Sequence, residues 1–182
     1  MAPSSALRRL ALVALTSTLA SAHTPHALAG SVATPESNST RTVNLSGHGF
    51  DDLKNAIVHW TRPTATGTIQ QSTEIVELYG DLRGRVLYHV TTVIDFVTGT
   101  LVNTGDQVYS GTVAGSLPVM LHDDQFRFEV NLNTGEESGQ VYLLDHITGP
   151  KVTCVLKGVG TGLNADGNPT FTYSGTCTFR GE

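Results

Sequence analysis

Seven histidines and two cysteines are the residues of this 182-residue chain whose types most directly allow metal binding or nucleophilic chemistry. Metal ligands recur at short, fixed spacing on one strand or helix, and no pair of these histidines has such spacing. An activated serine would lie in a G-x-S-x-G turn, which the sequence lacks. The sequence therefore predicts no metal site and no cofactor, and it leaves the catalytic residue of any reaction unknown.

A candidate for acid–base chemistry lies at Asp145 and His146. Residues 126–132 alternate between apolar and polar side chains, and a local hairpin would pair them with residues 140–147. One register of that hairpin adds Asp145 to the apolar face, and the other adds His146. A carboxyl group there would have its pKa raised by desolvation, which suits a general acid or base. The alternative is that this residue lies at the mouth of the fold, in contact with water.

The two cysteines, Cys154 and Cys177, predict a structural disulfide. If residues 152–160 and 171–179 pair as antiparallel strands, with residue numbers that sum to about 331, the two cysteines lie directly opposite each other. One face of this hairpin is then apolar and the other largely polar, and a slip by one residue would lose both features. The register also places two aromatic residues opposite two glycines, Tyr173 opposite Gly158 and Phe171 opposite Gly160.

Strands and glycine-containing turns account for almost all of the sequence after the N-terminal region. The clearest strand covers residues 85–97, where Val86, Tyr88, Val90, Thr92, Ile94 and Phe96 share one face. Further strands are predicted at residues 68–79, 101–113, 117–121, 125–132, 140–147, 152–160 and 170–180. A short helical turn is predicted near residues 50–54. This pattern predicts an all-β protein with a single antiparallel β-barrel of about eight strands, with a β-sandwich as the alternative.

The N-terminus has the features of a secretory signal peptide, with Arg8 and Arg9 followed by a short apolar segment. We expect cleavage after Ala22, with cleavage after Ala29 as the alternative. Residues 1–22 are then the signal peptide, residues 23–42 a disordered lead-in and residues 43–182 the barrel domain. The mature protein should be secreted or periplasmic, and no later segment is apolar enough to span a membrane.

The charge of the chain narrows the classes of partner. It carries 11 Lys and Arg against 16 Asp and Glu, for a net charge of −5, and it has no basic runs. Nucleic acids and anionic membrane surfaces require positive charge on the protein, so neither is an expected partner.

Residues 77–181 resemble the small barrels of the allene oxide cyclase and dirigent type. The resemblance is carried by Gly80–Gly84 before a long strand, Ser110–Thr112 in the middle, and Gly158–Gly162 before a late aromatic strand. It implies an eight-stranded barrel whose cavity holds apolar molecules, and in some members directs a cyclisation or coupling. No catalytic residue can be transferred position by position. Lipocalin-like barrels, of the calycin class, are the competing analogy, but Trp60 does not lie in their G-x-W motif.

The leading hypothesis is an exported barrel that binds a small apolar molecule in its interior. The aromatic residues expected to face that interior and to contact the ligand are Tyr88, Phe96, Phe126, Phe128, Phe171 and Tyr173. The second hypothesis is a cyclase or isomerase acting in the same cavity, with Asp145 or His146 as acid or base. The third is an interaction protein that works through its surface, which a solidly packed barrel would favour.

Overall fold

The computed structural model describes residues 39–181, so the predicted signal peptide and nearly all of the predicted lead-in lie outside the described residues. The strands are β1 (Thr40–Asp51), β2 (Ile57–Pro63), β3 (Gly67–Gly80), β4 (Leu82–Asp95), β5 (Thr100–Val113), β6 (Val119–Asp123), β7 (Arg127–Asn131), β8 (Glu137–Leu143), β9 (Asp145–Thr148), β10 (Val152–Leu163) and β11 (Pro169–Arg180). One 3₁₀ turn, Leu53–Asn55, lies between β1 and β2. Within residues 39–181, no helix has the length and apolar character needed to cross a membrane.

Eight of the strands close into an antiparallel barrel. Their order around the barrel is β3, β1, β11, β10, β8, β7, β5 and β4, and β4 pairs again with β3. The other three strands add to this ring from outside, since β2 pairs with β3, β6 with β5 and β9 with β6. The predicted all-β class and the predicted barrel of about eight strands are therefore confirmed.

Two long strands each divide one edge between two partners. The first part of β3 pairs with β2 and its last part with β1, whereas the first part of β5 pairs with β7 and its last part with β6. Beside β6, the side chain of Asp123 connects to β8 by accepting a hydrogen bond from the Tyr142 N–H at 2.8 Å. The same buried carboxylate accepts from Gln107 Nε2 at 2.8 Å and from the Gln125 N–H at 2.7 Å. Three donors offset the cost of burying this polar group.

The C-terminal hairpin has the predicted register, and Cys154 and Cys177 form a disulfide between directly opposed positions. The register shifts between Gly160 and Gly162, beyond the segment that the prediction covered. Tyr173 and Phe171 lie opposite the expected glycines, but their rings come closest to different ones. A side chain at Gly47 or Gly49 of β1 would meet Tyr173 or Phe171, whereas one at Gly158 would meet Phe128.

The sequence missed β1 as a separate strand and merged two strands at the other end of the chain. Residues 40–42, assigned from the sequence to the lead-in, are the first residues of β1. Glycines at two inward positions of β1 remove the apolar alternation that marks a half-buried strand. The predicted strand 140–147 is two strands, because β8 ends at Leu143 and β9 begins at Asp145 and pairs with β6.

The interior of the barrel is the hydrophobic core, and its two ends differ. At one end, which we call the disulfide end, the cystine packs among buried side chains that include Val152, Val113 and Phe179. The other end, which we call the cavity end, includes Asp51 at the end of β1, Glu137 at the start of β8 and Phe171 near the start of β11. The interior is filled at the disulfide end and leaves space at the cavity end.

Candidate functional site

A cavity of about 70 Å³ lies inside the barrel toward the cavity end. Its walls are mostly apolar and aromatic, and they come from all eight barrel strands together with the loop before β7. The apolar and aromatic lining residues are Val76, Leu78, Leu82, Val86, Tyr88, Phe126, Phe128, Val141, Leu143, Leu156, Phe171 and Tyr173, with Gly158. The polar lining residues are Asp51, Asn103, Gln107 and Glu137. An apolar cavity with a few polar groups is the usual form of a small-molecule site.

The hydroxyl group of Tyr88 joins two carboxyl groups at this cavity. Tyr88 lies directly opposite Glu74 in the β3–β4 pair, so both side chains point to the same face of the sheet. The Tyr88 oxygen lies 2.8 Å from Glu74 Oε2 and 3.1 Å from Asp51 Oδ1. The buried hydroxyl of Ser72 donates to Glu74 Oε1 at 2.5 Å. The order Asp51, Tyr88, Glu74, Ser72 forms a continuous hydrogen-bonded chain that begins at the cavity wall.

Counting protons shows that this chain can hold one on a carboxyl group. Tyr88 has a single hydroxyl proton, and it can donate that proton to only one of its two carboxyl neighbours. The other carboxyl then forms a hydrogen bond with Tyr88 only if it carries a proton of its own. Glu74 already accepts from Ser72 and is closer to Tyr88, so Asp51 is the residue better placed to hold the proton.

The surroundings of Asp51 favour that protonated form. Desolvation raises the pKa of Asp51 from its ordinary value to about 7, against the opposing effect of the hydrogen bond from Tyr88, and the negative charges of Glu74 and Glu137 raise it further. Desolvation also raises the pKa of the Glu137 carboxyl. Tyr88 itself has a raised pKa, through desolvation and then the neighbouring carboxylates, and stays protonated. At neutral pH, Asp51 can therefore either donate or accept a proton.

The polar groups elsewhere in the barrel wall are engaged in structural bonds. Tyr173 accepts from the Leu82 N–H at 2.7 Å and donates to the Tyr79 carbonyl at 3.0 Å. Tyr109, which is fully buried, donates to the Thr112 carbonyl at 2.6 Å. These two hydroxyl groups form hydrogen bonds with main-chain atoms, whereas the Tyr88 hydroxyl forms hydrogen bonds only with side-chain carboxyl groups.

Most of the predicted ligand-contacting residues line the cavity. Tyr88, Phe126, Phe128, Phe171 and Tyr173 all contribute to its wall, and Tyr88 and Phe126 pack edge to face at 5.7 Å between ring centroids. The prediction for Phe96 is wrong, because this side chain is 67% exposed. The strand β4 ends at Asp95, whose carboxylate accepts from the N–H groups of Val97 and Thr98 and turns the chain at this point.

Asp145 and His146 do not enter the barrel. Both are exposed on β9, where Asp145 Oδ2 lies 3.4 Å from His122 Nδ1 and His146 Nε2 lies 2.9 Å from the Gly149 carbonyl oxygen. The expectation that one of them joins the inner face is wrong, because the chain leaves β8 after Leu143. The inward residues of β8 are instead Val141 and Leu143, as in one of the two registers that the sequence allowed.

The sequence analysis missed Asp51, Glu74 and Glu137. Glu74 had a usable signal, since it shares one face of β3 with the apolar residues Val76 and Leu78. Asp51 had no such signal, because it is the last residue of a strand whose inward positions include glycines. Glu137 follows a turn and begins β8, a place where acidic residues are ordinarily exposed.

Among the described residues, no group of three or more His, Cys, Asp and Glu side chains could hold a metal ion. Comparison of the chain with protein-family models, with curated proteins and with solved structures found no match.

Proposed function

We propose that this protein is an exported β-barrel that binds one small, mainly apolar molecule in its interior. The observation that carries the proposal is the cavity of about 70 Å³, whose apolar and aromatic wall is interrupted by a few convergent polar groups. A barrel packed solid along its whole length would have favoured a protein that works only through its surface. The cavity supports the binding barrel instead.

The size of the cavity limits the ligand. The volume of about 70 Å³ is a few times the roughly 10–15 Å³ needed to hold one water molecule, so the cavity accepts only a small molecule. The partly buried rings of Phe128 and Phe171 form part of the wall at the cavity end, and a larger ligand would require them to move. The ligand is thus a compact molecule with an apolar body.

Export is the part of the proposal that the disulfide supports. Disulfides persist in oxidising compartments, and Cys154 and Cys177 are paired and buried in the core. Together with the predicted signal peptide, this favours a secreted or periplasmic location.

Filling the cavity tests the binding function directly. Val141→Phe places a ring inside the cavity, whereas Val155→Phe makes the same change on the outer face of the barrel, where Val155 is 43% exposed. Protein purified from an exporting host should show an added mass by native mass spectrometry that is lost on denaturation. The mass should persist in Val155→Phe and disappear in Val141→Phe. An added mass that survives in both variants would place the molecule elsewhere, and a clean apo mass for the wild type, with no binding of small apolar probes, would contradict the proposal.

An acid–base enzyme is the second candidate, and the chain of Asp51, Tyr88 and Glu74 favours it. A cyclisation or isomerisation by acid–base catalysis needs a group beside the substrate that exchanges protons at neutral pH, and Asp51 lines the cavity and has a pKa raised to about 7. Asp51→Asn should abolish turnover of the molecule recovered from the barrel. Glu129→Gln, which changes the charge equally on an exposed side chain, should leave turnover intact. Equal turnover in both variants would exclude Asp51 as the acid–base group, and no turnover by the wild type would leave binding as the sole function.

A further inference from the structure

The electrostatics of the cavity identify the class of ligand, an inference that rests on the proposed binding function. Asp51 and Glu137 line the cavity, and Glu74 is joined to Asp51 through Tyr88. No Lys, Arg or His is among the described residues that line it. The ion pairs found within residues 39–181 also leave these three carboxyl groups without a basic partner.

We propose that the ligand is a small apolar amine, bound as its ammonium ion with the charged group between Asp51 and Glu137 and the hydrocarbon part against the aromatic wall. An ammonium group has three N–H donors and no acceptor. It therefore complements carboxyl oxygens that accept few hydrogen bonds from the protein itself. Within residues 39–181, the Glu137 carboxyl group makes no side-chain hydrogen bond, and the Asp51 carboxyl group makes only its contact with Tyr88.

The barrel keeps like charges close together, and an ammonium ion would relieve that repulsion. Glu74 and Glu137 both act on Asp51 as negative charges and oppose its ionisation. A cation between Asp51 and Glu137 reverses the sign of the local interaction and favours the ionised form of both groups. An anionic ligand of the same size would add a further negative charge to this interior. A neutral alcohol would gain the apolar contacts without the charge–charge attraction.

The two parts of the cavity match the two parts of such a ligand. The apolar portion includes Phe126, Leu143 and Leu156, which are buried and lie among the core residues. The acidic portion is at the cavity end, where Glu137 and Asp51 are only partly buried. The ammonium group would thus lie toward the wetter end of the barrel, where the cost of removing it from water is lowest.

Three probes of matched length separate charge from apolar contact: pentylamine, 1-pentanol and pentanoate. Isothermal titration calorimetry on the protein at pH 7 should show pentylamine binding about tenfold more tightly than 1-pentanol, and pentanoate binding most weakly. If 1-pentanol binds as tightly as pentylamine, or pentanoate binds best, the amine inference is wrong and the apolar binding barrel stands. If none of the three probes binds, the proposed binding function fails as well.

Proton release provides a second, independent readout. The pKa of Asp51 is raised to about 7 and an adjacent ammonium ion lowers it, so pentylamine binding at pH 7 should release protons. The number of protons released on binding is obtained from calorimetric titrations in two buffers that differ in ionisation enthalpy. This number should be near zero for 1-pentanol binding to the wild type and for pentylamine binding to Asp51→Asn. Equal proton release in the wild type and in Asp51→Asn would overturn the assignment of the ammonium site.

Two variants and one control localise the charge effect. Asp51→Asn and Glu137→Gln should each weaken pentylamine binding by about tenfold and leave 1-pentanol binding unchanged. Glu129→Gln removes one negative charge from an exposed side chain of β7 and should leave both affinities unchanged. If Asp51→Asn does not fold, as judged by circular dichroism, Glu137→Gln carries the test alone. Unchanged pentylamine affinity in the folded variants would overturn the proposal.

Discussion

The two ends of this barrel use the same kinds of side chain for different purposes. At the disulfide end, the interior is closed by a cystine and by buried apolar residues, and the hydroxyl group of Tyr109 is bonded to main chain. At the cavity end, the hydroxyl of Tyr88 bonds to carboxyl groups, and the interior retains open space. One end therefore satisfies its own polar groups, whereas the other keeps carboxyl groups that a ligand can satisfy.

The comparison shows how a small barrel can combine a stable core with a reactive interior. Burying Asp51 near Glu74 and Glu137 costs stability, because its charged form is disfavoured by desolvation and by repulsion. The packed end and the disulfide offset that cost without contacting these groups. Under the proposed function, stability is thus supplied mainly by the disulfide end and binding by the cavity end, so loss of the disulfide should lower stability and leave binding unchanged.

The largest change in the free energy of unfolding should come from removing the disulfide. Replacing both Cys154 and Cys177 with Ala removes a cross-link that spans 23 positions of sequence, which should lower the free energy of unfolding by about 3 kcal/mol. Urea unfolding measures this change. Pentylamine and 1-pentanol affinities, measured where the variant is still folded, should stay as in the wild type. A loss of probe binding in the folded variant would show that the two ends are coupled.

At the cavity end we expect a smaller change in the free energy of unfolding, and an increase instead of a decrease. The pKa of Asp51 is raised from 3.8 in the unfolded chain to about 7 in the fold, so the folded state binds more protons between these values. The contribution of Asp51 to stability therefore falls as pH rises from about 4 to about 7. Asp51→Asn removes this loss, and its free energy of unfolding should exceed that of the wild type by about 2 kcal/mol at pH 8, after discounting for partial exposure.

Urea unfolding of both proteins at pH 4 and pH 8 checks the sign. The variant and the wild type should have similar stability at pH 4, where Asp51 is protonated in the fold. Glu129→Gln, on the exposed face of β7, should show no comparable gain at pH 8. A variant that is less stable than the wild type at pH 8 would mean that the ionised form of Asp51 is stabilised in the unliganded barrel.

The sequence predicted the features that depend on local alternation and missed those that depend on closure of the barrel. The strand over β4 and the register of Cys154 with Cys177 follow from period-2 patterning and from a single hairpin, and both are confirmed. The split between β8 and β9 could not be predicted in this way, because β9 leaves the barrel to pair with β6. That choice depends on a partner strand more than 20 residues away in the sequence.

The same distinction explains the site. The aromatic wall was predictable because its residues alternate along strands, and only Phe96, beyond the end of its strand, was misplaced. The grouping of the carboxyl groups was not predictable, because Asp51, Glu74 and Glu137 come from three strands that lie close together only in the closed barrel. The alternation pattern of a single strand does not show which residues of other strands lie beside it.

The smallest effect should come from a single hydroxyl at the floor of the cavity. Tyr173→Phe leaves the buried Leu82 N–H without its acceptor and should lower the free energy of unfolding by about 1.5 kcal/mol in urea. Tyr79→Phe, which changes an exposed ring in the same way, is the matched control and should have little effect. Since the Tyr173 hydroxyl is engaged with main chain, its loss should leave the proton release on pentylamine binding unchanged. Altered proton release would mean that this structural hydroxyl also takes part in the proton chemistry of the cavity, which would then not be confined to Asp51, Tyr88 and Glu74.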